Sequence, residues 1–213
     1  MTEEEWLGSA DIETMLVPLR RTGRDKRLNL FAAMCFRHLI HLLPDSGQHN
    51  AVEVLEKKSV GRARTQEEAF AVRSARSAIP AMLERDGSPA DDPYLIALML
   101  YRELNSRLQG HHAAMAAKGL ADNAAEEAWQ RWLLRDLFGN PFRPVVADPD
   151  WFTPTVQFIA SSIYQERAFD RLPILADALE EAGCVNADVL MHCRQPGEHV
   201  RGCWVVDLIL GKE

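Results

Sequence analysis

F-D-R-L-P-I-L-A-D-A-L-E-E-A-G-C-V-N-A-D-V-L-M-H-C-R-Q-P-G-E-H-V-R-G-C-W-V-V-D-L-I-L-G-K-E, residues 169–213, is the stretch whose reading decides the fold. Leu172, Leu175, Ala176 and Leu179 recur at three- and four-residue spacing, so 169–182 reads as a helix with one apolar stripe. Pro173 suits its first turn, where a missing N–H costs nothing. Gly183 follows the last periodic residue, where a left-handed cap is commonest. Asn186 can cap a second, short helix containing Val189 and Leu190, and Pro196-Gly197 marks a turn. Residues 198–210 fit either a helical face through Val200, Cys203, Trp204 and Leu208 or a buried strand. Length and the closing Gly211 favour the helix. Asp207 lies inside this apolar run and needs a partner when buried. Arg194 or Arg201 is the expected one.

The same period recurs upstream. Thr2 and Glu5 have capping-box spacing, with Trp6 and Leu7 as apolar contacts. Residues 11–19 place Ile12, Met15, Leu16 and Leu19 on one side. Residues 25–43 carry the stripe Leu28, Phe31, Cys35, Leu39 and Leu42, in which Cys35 reads as a small buried hydrophobe. Further helices are predicted over 48–57, from a Thr65–Glu68 capping box to about 85 with a break near Pro80, over 94–109, over 126–138 and over 153–164. The resulting fold class is all-α: an irregular multi-helix bundle with a compact C-terminal helical module around Trp129, Trp132, Phe142, Trp151, Leu175 and Trp204. Trp204 is expected to bury against the helix carrying Trp129 and Leu133. The Asp-, Gly-, Ser- and Pro-rich segment 86–93 is the natural link between an N-terminal region, 1–85, and a C-terminal module, 94–213, which could also pack as one domain.

Composition removes several function classes. A net charge of −7 argues against a non-specific nucleic-acid binder, which needs a basic face. The longest apolar run, 94–101, is far too short to span a bilayer, and Thr-Glu-Glu-Glu after Met1 is not a secretory leader. Four cysteines in 213 residues do not make a disulfide framework. These features lead us to expect a cytoplasmic protein with reduced thiols and no membrane partner. No phosphate loop, dinucleotide fingerprint, nucleophile elbow or H-E-x-x-H is present, so no reaction is indicated. Glu126-Glu127 and Glu180-Glu181 read as solvated faces, and His111-His112 as a solvent-facing helix end.

Residues 137–145, L-F-G-N-P-F-R-P-V, together with 169–184 and 192–213, resemble a module in an expanded family of uncharacterised bacterial proteins. M-T-E-E-E-W-L and R-L-N-L-F-A-A-M-C-F-R resemble its N-terminal part. The likeness covers the first forty-odd residues and the last eighty or so, implies no catalytic residue, and departs at Cys35-Phe36, where the family has paired cysteines.

Two functions remain open. One is a non-catalytic interaction or adaptor module that binds a protein partner through an exposed helical surface. The other is a metal-binding or redox-active protein using the C-terminal Cys/His cluster. For the second, Cys193, His199 and Cys203 could share a zinc ion, with Cys184 or His192 as a fourth ligand. A helix starting near Glu198 would put His199 and Cys203 on one face. Simple core filling by the cysteines is the competing reading.

Overall fold

The computed structural model describes residues 1–8, 11–20, 25–43, 46–59, 61–77, 99–100, 102–103, 112, 115 and 123–212. Among these, all regular structure is helical, as the periodicity requires: α1 (Glu3–Leu7), α2 (Ile12–Leu19), α3 (Asp25–His38), α4 (Ser46–Ser59), α5 (Thr65–Ser77), α6 (Asn123–Phe138), α7 (Pro154–Glu166), α8 (Leu172–Glu181), α9 (Ala187–Arg194) and α10 (Trp204–Leu210). Short 3-10 turns lie at Ile40–Leu42, Pro149–Trp151 and Phe169–Arg171. None of the described helices is long and apolar enough to cross a membrane. The expected link at 86–93, the break near Pro80 and most of the helix at 94–109 lie outside the described residues.

The chain divides into two compact units, Met1–Trp132 and Leu133–Glu213. In the first, α3 packs on α4 and α4 on α5. The Thr2 hydroxyl accepts from Glu5 N–H at 3.2 Å while the Glu5 carboxylate accepts from Thr2 N–H at 2.7 Å, so the capping box forms at both ends. The Asp11 carboxylate accepts from Thr14 N–H and starts α2, whose Ile12, Met15, Leu16 and Leu19 are all buried. The start of α5 differs from the sequence reading. Its first residue is Thr65, so the Glu67 carboxylate reaches back to Arg64 N–H at 3.1 Å, one position earlier than a Thr65–Glu68 box.

Glu126 departs from expectation more sharply. It is buried rather than solvated, pairs with His38 Nδ1 at 2.7 Å and accepts from Gln130 Nε2 at 3.1 Å. The His38 ring in turn stacks on Trp129, centroids 4.3 Å apart. His112, expected at a solvent-facing helix end, has a side chain only 13% exposed and lies 3.5 Å from the buried Glu103 carboxylate.

In the second unit α7 packs against α8 and α10, α8 against α9, and α9 against α10. Thr153 caps α7 through Val156 N–H, with Pro154 in the first turn. Val156, Ala160 and Ile163 face inward to meet Leu172, Leu175, Ala176 and Leu179 of α8. Gly183 (φ 87°) ends this segment, and the Asn186 side chain accepts from Asp188 and Val189 N–H to begin α9. Of the six residues expected at the centre, Trp151 and Leu175 are buried here. Phe142 is exposed, and Trp129 and Trp132 are half-buried residues of the first unit.

Trp204 is also half-buried, packed on the edge of this core, with its ring against Gly139 and His192. Gly139 ends α6 at φ 65°, and a Cβ there would lie 3.0 Å from the indole. At Gly183 a Cβ would meet nothing within 4 Å. Gly183→Ala therefore bears only the left-handed backbone cost of about 1 kcal/mol, whereas Gly139→Ala adds steric overpacking, for about 2–3 kcal/mol in total. Urea midpoints of the two variants measure the difference, and equal losses would refute the close packing of Trp204.

Candidate metal centre

The end of α6 reads Leu133-Leu134-Arg135-Asp136-Leu137-Phe138, with Leu133, Leu134, Leu137 and Phe138 all buried. Asp136 is carried into the interior with them and its side chain is fully enclosed. Asn186 sets the phase of α9 so that Val189, Leu190, His192 and Cys193 form its inner face. The chain then leaves the helix at Gln195 in extended conformation.

Residues 198–203 are not helical. Gly202 adopts φ 108°, which no helix accommodates, and a turn closes with Cys203 N–H donating to the Val200 carbonyl. The helix begins only at Trp204. His199 and Cys203 therefore do not share a helical face. The turn brings them together instead, and Val200 N–H donates to Asp136 Oδ2 at 3.0 Å to hold it in place.

Asp136, His192, His199 and Cys203 each bring one donor atom to this point, all within 4.8 Å of one another. His199 Nδ1 lies 2.6 Å and His192 Nε2 3.3 Å from Asp136 Oδ1, and His192 Nε2 lies 3.1 Å from Cys203 Sγ. The two imidazoles meet edge to face at 4.8 Å. Four donors on a tetrahedral zinc at about 2.0–2.3 Å are separated by about 3.3–3.8 Å. The two His192 separations are close to that range. The shorter contact, from His199 Nδ1 to Asp136, is a hydrogen bond and must open if Nδ1 is the nitrogen that binds the metal. His199 Nε2 is buried with no hydrogen-bond partner among the described residues. The histidine thus has one nitrogen on Asp136 and a second without a protein partner, which buried polar atoms seldom tolerate.

The group of four thus could hold a metal. Of the residues expected from sequence, His199, Cys203 and His192 belong to it. Cys193 is buried beside it on α9, and Cys184 is buried before Asn186, both outside the group. Asp136 was not foreseen. The signal was its spacing: Asp136 follows Trp132 by four residues and Leu133 by three, which puts the carboxylate on the apolar stripe of its helix.

Burial works against the Asp136 carboxylate, but its hydrogen bonds with His192 and His199 outweigh that cost and hold the carboxyl below its usual range. Burial depresses His192 despite the neighbouring carboxylate. Burial, reinforced by Asp136, pushes the Cys203 thiol well up, and burial raises Cys193 to about 12. Neither is therefore a ready thiolate nucleophile, since reactive cysteines have lowered values and open access. A Cys–His–Asp relay would also need the carboxylate on the imidazole nitrogen opposite the thiol. In this centre Asp136 and Cys203 both approach His192 Nε2, while Nδ1 faces Gln195.

The arginines expected for Asp207 are engaged elsewhere. Arg194 binds Asp177 at 2.7 Å and also Glu180, so Glu180 is paired rather than simply solvated. The Arg201 guanidinium sits 4.4 Å over the Tyr164 ring. Compared with protein-family models, curated proteins and solved structures, the chain finds no match.

Proposed function

We propose that the C-terminal unit is a zinc-stabilised, non-catalytic helical module in which Asp136, His192, His199 and Cys203 are the four ligands. The observation that carries this reading is the convergence of four buried O, N, N and S donors from three separate segments. One sulfur, two imidazoles and a carboxylate suit zinc better than magnesium or calcium, which take oxygen ligands. Four protein donors leave no position for substrate, the arrangement of structural rather than catalytic sites. The metal would tie the end of α6 to α9 and to the turn before α10, and a zinc ion beside Cys203 would deprotonate the thiol that burial otherwise keeps neutral. The adaptor reading survives within this one: a module held by metal can present its helices to a protein partner.

Elemental analysis of protein purified without an affinity tag, paired with thermal melting before and after a strong chelator, tests the reading. One zinc per chain is expected. Ligand present at about a thousand times its dissociation constant adds about 4 kcal/mol, so chelation should lower the melting temperature by at least about 10 °C. Metal-free protein whose melting temperature ignores the chelator overturns the proposal.

A further inference from the structure

We infer that Gln195 is the outer-shell positioning residue of this centre, its side-chain amide setting which nitrogen of His192 is free to bind metal. The inference rests on the metal-site reading above. A metal-bound imidazole keeps its proton on the other nitrogen and needs an acceptor there, and such outer-shell acceptors fix the ring and raise ligand basicity. His192 Nε2 faces Cys203 and Asp136, so the nitrogen left for that role is Nδ1. The Gln195 amide lies 3.3 Å from Nδ1, with its nitrogen nearest.

The placement follows from backbone geometry. Gln195 N–H still closes the last turn of α9 onto the Met191 carbonyl at 2.8 Å, but its ψ of 139° takes the following chain out of the helix. The side chain is left three residues beyond His192, on the same side of the helix end. A glutamine can meet either tautomer. Its NH2 group donates to a bare Nδ1, and after a half-turn of the amide its oxygen accepts from Nδ1–H. Metal on Nε2 demands the second arrangement. Among the described residues, no other side chain hydrogen-bonds to His192 Nδ1.

Gln195→Leu removes both partners, and Gln195→Glu keeps a permanent acceptor. Gln195 is exposed, so both variants should fold, which circular dichroism can verify. The probe is zinc, titrated in competition with a chromophoric chelator, with 15N shifts of the His192 ring read in parallel. Gln195→Leu is expected to weaken zinc binding about tenfold, at the low end for outer-shell losses, and Gln195→Glu to bind at least as tightly as wild type. The wild-type ring should move to the Nδ1–H tautomer on loading, a change that a merely structural role for Gln195 would not tie to the amide. If wild type loads zinc and Gln195→Leu matches it in affinity and tautomer, the inference fails alone. If wild type takes up no zinc, the metal-site reading fails and the inference with it.

Discussion

Asp136→Ala is expected to cost the C-terminal unit about 3–5 kcal/mol, the range for removing one partner of a buried charged pair. The loss does not depend on metal, because this carboxylate already serves three groups from two other segments. Oδ1 meets His199 Nδ1 and His192 Nε2, and Oδ2 accepts from Val200 N–H. Alanine strands all three in an enclosed site, and each buried unsatisfied group costs about 1–3 kcal/mol. Asp136→Asn separates charge from shape. It keeps one oxygen for Val200 N–H but presents an NH2 group where an imidazole needs an acceptor, so it should lose roughly half as much. Urea denaturation followed by tryptophan fluorescence gives both values. An alanine variant with a wild-type midpoint would mean that the carboxylate holds nothing together.

The helical architecture was open to sequence reasoning because its signals are local. Thr2, Asp11, Thr153 and Asn186 each cap the helix that follows, and Gly139, Gly183 and Gly211 each leave it at positive φ. The inner faces of α2, α7 and α8 follow directly from apolar spacing. The candidate site was only half visible for a physical reason. Spacing along a chain identifies partners that share one helix, whereas this centre joins segments whose ends are more than sixty residues apart. Asp136 and Glu126 lie at three- and four-residue spacing on the apolar stripe of one helix, but a carboxylate is assigned to solvent unless a partner is in view, and here the partners are far away in the chain. Both are buried, each satisfied by histidine from a distant element. The position of Cys203 was misread for a different reason. Gly202 looks like an ordinary helix residue until its φ of 108° is known, and that single dihedral replaces a shared helical face with a turn.

The second large effect belongs to the N-terminal unit and concerns Trp6. The helix that carries it has five residues, far below the length of about 12–15 at which a helix in water is even marginally stable alone. Its capping box supplies about 1 kcal/mol, so burial of the indole must hold it. Trp6 is 1% exposed, whereas its neighbour Leu7 is 57% exposed. Trp6→Ala should therefore cost about 3–5 kcal/mol, as for other fully enclosed aromatics, while Leu7→Ala should stay within about 0.5 kcal/mol of wild type. Thermal melting gives the stability change, and amide hydrogen exchange shows where it falls. If α1 is an integral part of the core, the midpoint drops and protection is lost in α2 and α3 as well. If Trp6→Ala raises exchange only in residues 1–8 and leaves the midpoint unchanged, α1 is an appendage and the indole is not part of the cooperative core.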